Sequence, residues 1–101
     1  MITITRYKPS NKESSFQGNF DIVNSKLHDQ EILEMAYFKK GINKWVSFPQ
    51  KTIEENGKKK YVPYIRFKNS NITKKFLDEV LKALEEHFQI NGQGYYENNQ
   101  N

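Results

Sequence analysis

One apolar stripe near the C-terminal end constrains this chain more than any other feature. In "SNITKKFLDEVLKALEEHF", residues 70–88, the apolar side chains Ile72, Phe76, Leu77, Val80, Leu81, Leu84 and Phe88 recur at helical spacing. Ser70 or Asn71 can cap the N-terminus by accepting a backbone N–H bond, and Gly92 supplies a stop signal. A helix that is apolar on one side needs a sheet or another helix to cover that side. The residues before it supply strands. In "SFQGNFDIV" (15–23), Phe16, Gly18, Phe20 and Ile22 alternate with polar residues at the period of a half-buried strand. "EILEMAYF" (31–38) alternates with apolar residues on both faces, Leu33, Met35 and Tyr37 against Ile32, Ala36 and Phe38. That pattern predicts a central strand, or one covered on its second side by a partner.

Asn56-Gly57 is the strongest hairpin signal, because a type I′ turn needs positive φ at both central residues. A two-residue turn sets Glu55 opposite Lys58 and Glu54 opposite Lys59, pairs of opposite charge. Extended along "KWVSFPQKTIEENGKKKYVPYIRFK" (44–68), the same register places Phe48 opposite Ile65 and Val46 opposite Phe67. One face of this ribbon then carries Val46, Phe48, Tyr61, Ile65 and Phe67, a core face for the helix stripe. The other carries Trp45, Lys51, Lys60, Val62, Tyr64, Arg66 and Lys68, cations and rings with no acid among them. Pro49 and Pro63 both lie in the ribbon and predict a bulge or bend, since proline cannot donate to a ladder. A bulge there would exchange the faces beyond it.

Charge is unevenly distributed along the 101 residues. Residues 1–38 carry net −1, residues 39–75 net +9 and residues 76–101 net −4. Such asymmetry points to a face for a polyanion. Lysines and arginines neutralise phosphates and release counterions. Exposed rings stack on unpaired bases. The candidate nucleic-acid-binding residues are therefore Lys39, Lys40, Trp45, Lys51, Lys60, Tyr64, Arg66 and Lys68. The competing reading places Trp45 and Tyr64 in a core or a dimer interface.

Catalysis finds little support. His28 and His87 are far apart and neither has metal-ligand spacing around it. No Gly-rich phosphate loop, nucleophile elbow or paired-carboxylate motif occurs, so no metal and no cofactor are expected. There is no cysteine, no apolar run of membrane-spanning length and no apolar signal core in "MITITRYKPS". The expectation is a soluble, cytoplasmic protein without a membrane partner.

The pieces "EILEMAYFKKGINKWVSFPQK", "ENGKKKYVPYIRF" and "NSNITKKFLDEVL" follow one another in an order that resembles the SpoVG family of bacterial septation and sporulation regulators. Over residues 15–88 the chain shows that family's succession of an alternating strand, a Gly/Asn turn, a strand running into a proline, a second Gly turn and an Asn-Ser-capped helix. Phe48 stands where the family has Met and Gln50 where it has Ser. The resemblance implies a small strand-rich domain that dimerises and binds nucleic acid through a basic segment after Pro49, a role it carries onto Lys51. The order of strands then helix is also similar to the Whirly and positive-cofactor type of single-stranded DNA-binding coactivators, which dimerise too.

These readings together predict an α+β protein, a four-stranded antiparallel meander followed by one C-terminal helix. Residues 1–14 form an N-terminal arm, 15–90 a single domain and 91–101 a disordered polar tail in which Tyr95 and Tyr96 could grip a partner. The expected function is non-catalytic binding of single-stranded DNA or RNA as a homodimer, in replication, recombination or transcription control. The alternative is a small interaction or inhibitory module that docks a partner protein.

Overall fold

A computed structural model describes residues 1–11 and 13–91. Of the tail expected over 91–101, Asn91 instead ends the helix, and the rest, with its two tyrosines and the Gly92 stop signal, lies outside the described residues. The described chain is α+β. Strands β1 (Ile2–Pro9), β2 (Phe16–Asn24), β3 (Gln30–Lys40) and β4 (Asn43–Ser47) form an antiparallel sheet in that order. Strands β5 (Gln50–Glu55) and β6 (Lys58–Pro63) form a second, two-stranded sheet, and α1 (Ser70–Asn91) closes the chain.

The helix covers one face of the larger sheet. Phe76, Val80 and Leu84 from its stripe are buried against Ile4, Phe20, Ile22, Ile32, Met35, Tyr37 and Val46. Phe20, Ile22, Met35, Val80 and Leu84 are fully enclosed, and each such side chain contributes about 1.5–3 kcal/mol. Ring contacts pin the helix at both ends. Phe76 stacks on Phe48 at 5.7 Å and meets Phe67 edge-on at 5.2 Å, while Phe88 meets Tyr7 at 4.9 Å and Tyr37 at 5.7 Å. Ile72, at the start of the stripe, stays half exposed. Asn69, rather than Ser70 or Asn71, is the N-cap. Its Oδ1 accepts from the backbone N–H of Asn71 at 2.8 Å and of Ile72 at 3.2 Å.

Four departures from the sequence reading shape the surface. First, the expected arm contains β1, whose Ile4 enters the core and whose length pairs with β2. The alternation in "ITIT" is too short to stand out beside the polar residues that follow it. Second, register shifts interrupt β1 between Ile4 and Arg6 and β2 between Phe20 and Ile22. At this level Glu34 adopts a left-handed φ of 61° in β3, so Ile32 and Met35 both face the helix. The irregularity is held by one carboxylate. Asp21 accepts from Arg6 Nε at 2.8 Å, from Arg6 Nη2 at 3.0 Å and from the backbone N–H of Glu34 at 3.0 Å. Third, a shift between Phe16 and Gly18 turns Phe16 to the face away from the helix, where it meets Phe38. Fourth, the ribbon is broken at Pro49.

That break divides residues 44–68 between two sheets. Val46 pairs with Tyr37 instead of Phe67, and Ile65 lies beyond β6 instead of opposite Phe48. Near the turn the predicted register holds, with Glu55 opposite Lys58, Glu54 opposite Lys59 and positive φ at Asn56 and Gly57. The root of the hairpin closes through Tyr64 N–H donating to the Pro49 carbonyl at 2.8 Å.

Candidate nucleic-acid interface

The sheet face opposite the helix is built in rows, because antiparallel register aligns residues across strands. Phe16, Phe38 and Trp45 form one row across β2, β3 and β4. Phe16 and Phe38 lie 5.7 Å apart, and Phe38 stacks nearly parallel on Trp45 at 5.4 Å. Trp45 sits on the sheet's outer strand and ends the row with 41% of its surface exposed. Asn19, Ala36 and Ser47 form the adjacent row. Beside this row rises the β5–β6 hairpin, which contains no buried residue.

The hairpin has two faces. Lys51, Ile53 and Glu55 lie opposite Val62, Lys60 and Lys58 on one, and Gln50, Thr52 and Glu54 lie opposite Pro63, Tyr61 and Lys59 on the other. Lys51, Lys58, Lys59 and Lys60 are all exposed, and no ion pair forms to any of them among the described residues. The Lys51 ammonium lies 5.9 Å from the centre of the Tyr64 ring, within cation–π range. Glu55 shares the face of Lys51 and Lys60 at the tip, so the face is not free of acid as expected.

The structure separates the predicted site residues into four groups. Lys51, Lys60 and Tyr64 gather on the hairpin and its root. Trp45 and Lys40 belong to the outer sheet face, Lys40 by its place two residues after Phe38. Lys39 lies on the helix side, where it lines a hollow with Tyr7, Tyr37, Lys44 and Glu85. Arg66 and Lys68 lie past the hairpin and line a separate cleft with Phe48, Ser70 and Thr73 at the start of α1. Tyr61 and Ile65, expected in the core, are exposed at 67% and 44%, because β6 never joins the larger sheet.

The residues that sequence reasoning missed are Phe16 and Phe38, which extend the ring of Trp45 into a row, and Lys58 and Lys59, which share the hairpin's charge. The lysine run 58–60 was a visible signal. The aromatic row was not, since it depends on the shift before Gly18. Elsewhere a few ionisable groups are engaged in structure. Lys44 pairs with Glu85 at 3.1 Å, which raises its pKa. Hydrogen bonds from Arg6 hold the Asp21 carboxyl below the usual carboxylate range. Burial lowers the pKa of His87, whose Nδ1 lies 3.2 Å from the Asn91 amide nitrogen. Among the described residues no cluster of three or more His, Cys, Asp or Glu could hold a metal ion, and no helix is long and apolar enough to cross a membrane.

Comparison with protein-family models, with curated proteins and with solved structures finds no match to this chain.

Proposed function

We propose that the protein binds single-stranded nucleic acid, without catalysis, through the lysines of the β5–β6 hairpin and the aromatic outer face of the sheet. One observation carries this reading. The hairpin has no fully buried residue, yet it holds four lysines without an ion pair among the described residues, carries Tyr61 and, at its root, Tyr64, and lies beside the sheet face that exposes Trp45. A hairpin that adds nothing to the core is explained by what its side chains can hold. Cations along a backbone track with rings beside it suit a strand whose bases are unstacked. The order of elements that resembles SpoVG-like proteins supports the same reading.

The test is a titration with single- and double-stranded oligonucleotides at two salt concentrations, read by the emission of Trp45, the only tryptophan. Single strands should quench that emission and bind more tightly at low salt. Trp45→Ala should weaken single-strand binding by about 1–3 kcal/mol and leave the salt slope nearly intact, since no phosphate contact is lost. Failure of correctly folded protein to bind either form would overturn the proposal.

A second reading is favoured by the row Phe16–Phe38–Trp45, which no element among the described residues covers. In it the outer face is a contact between two copies, as the predicted homodimer requires. Trp45 emission would then change with protein concentration, oligonucleotide would leave it unmoved, and Trp45→Ala would dissociate the dimer.

A further inference from the structure

We infer that the cleft between the outer sheet face and the hairpin seats one unstacked nucleobase bearing an exocyclic amino group. This rests on the nucleic-acid reading above and specifies which part of the strand the cleft takes. The cleft has a volume of about 410 Å³, within the range of small-ligand sites. Its floor is the row Asn19–Ala36–Ser47. Strands are spaced about 4.8 Å apart, so Asn19 and Ser47 stand about 10 Å apart across the small Ala36. A planar ring can lie on the alanine methyl with a polar group at each edge. Tyr61 and Tyr64 line the hairpin side, exposed at 67% and 66%.

The polar groups choose a base over a phosphate. Among the described residues no lysine or arginine lines the cleft, and its one charged lining group, the Glu34 carboxylate, already holds the Arg6 guanidinium at 3.1 Å, so nothing in the lining neutralises a phosphate. Asn19 donates its amide N–H to the Met35 carbonyl at 3.3 Å, which leaves its own oxygen to accept. The Ser47 hydroxyl is buried with no hydrogen-bond partner among the described residues. A buried hydroxyl without a partner is destabilising, and rotation about one bond redirects it toward a ligand. An amide oxygen and a carboxylate accept, and a hydroxyl both donates and accepts. On the floor and the Glu34 side, that set suits the amino group and adjacent ring nitrogen of cytosine or adenine better than the carbonyl and N–H of thymine or uracil, while Gln50, Thr52 and the two tyrosines line the hairpin side.

The experiment compares short deoxycytidine, deoxyadenosine and thymidine homopolymers on the wild type, Ala36→Leu and Ser47→Ala, with melting temperatures for each. The wild type should prefer the amino-bearing homopolymers. Ala36→Leu fills the cleft without touching charge, so it should lower affinity about tenfold, the loss of roughly one stacked base, at an unchanged salt slope. Ser47→Ala removes an unsatisfied group, so it should melt at or above the wild-type temperature yet narrow the preference over thymidine. A merely structural serine would not show that opposition. Equal binding of all homopolymers, or wild-type affinity in folded Ala36→Leu, would overturn the inference while leaving the salt-dependent hairpin binding in place. An Ala36→Leu protein that binds normally but no longer self-associates would assign the cleft to a second copy and also overturn it. A wild type that binds no oligonucleotide would remove the functional reading and this inference with it.

Discussion

Replacing Lys51, Lys58, Lys59 and Lys60 together with Gln should remove nucleic-acid binding without unfolding the protein. The structure sets both magnitudes. On the stability side, none of the four contributes to the core or to an ion pair among the described residues. Surface changes of this kind stay within about 0.5 kcal/mol each, so the melting temperature should move by only a few degrees. On the binding side, if each lysine meets one phosphate, the slope of log K against log salt for a single strand is about −2.8, at about −0.7 per phosphate. Raising salt from about 50 to about 200 mM should then weaken the wild type about 50-fold. The variant should lose most of its affinity, and any residual binding should depend only weakly on salt. The assay is a fluorescence titration at several salt concentrations, with circular dichroism melts of both proteins. A folded variant that kept the wild-type slope would refute the reasoning and move the phosphate contacts to Lys40, Arg66 and Lys68.

Asp21→Ala strips the acceptor from two Arg6 bonds and from the Glu34 N–H. It should cost about 2–3 kcal/mol in a urea melt, less than a fully buried pair because Arg6 is 41% exposed. Because the folded carboxyl titrates below its unfolded value, its stabilisation is full above the unfolded pKa near about 4 and is lost as pH falls through the folded value. Asp21→Asn should therefore show a shallower acid limb than the wild type. Leu84→Ala, at a fully buried position on the helix stripe, should cost about 2–5 kcal/mol by the same melt. Gly18→Ala would bring a Cβ within 2.5 Å of the Lys8 carbonyl oxygen and 2.9 Å of the Tyr7 hydroxyl. It should loosen β1, seen as faster amide exchange across Ile2–Pro9 than in β3.

Two elements were determined by the sequence alone. The stripe from Phe76 to Phe88 makes α1, and Asn56-Gly57 makes the hairpin, with its Glu–Lys register near the turn. Both follow from interactions within a few residues, a helical period and two positive φ angles, so they are written locally. The faces were decided only by the tertiary structure. Asp21 meets Arg6 and the Glu34 backbone from strands far apart in the chain, and that meeting places the irregularity that brings Ile32 and Met35 to one side. Pro49 announced a bend, but whether β5 continued β4 or left the sheet depended on where the larger sheet ended. That end is β4, which pairs only with β3 and leaves β5 and β6 to pair with each other. The candidate site divides in the same way. The lysines and rings were legible as residue types, because charge and aromaticity are properties of single residues. Their grouping was not, because a one-residue shift before Gly18 and a break at Pro49 reassign every side chain beyond them to another face.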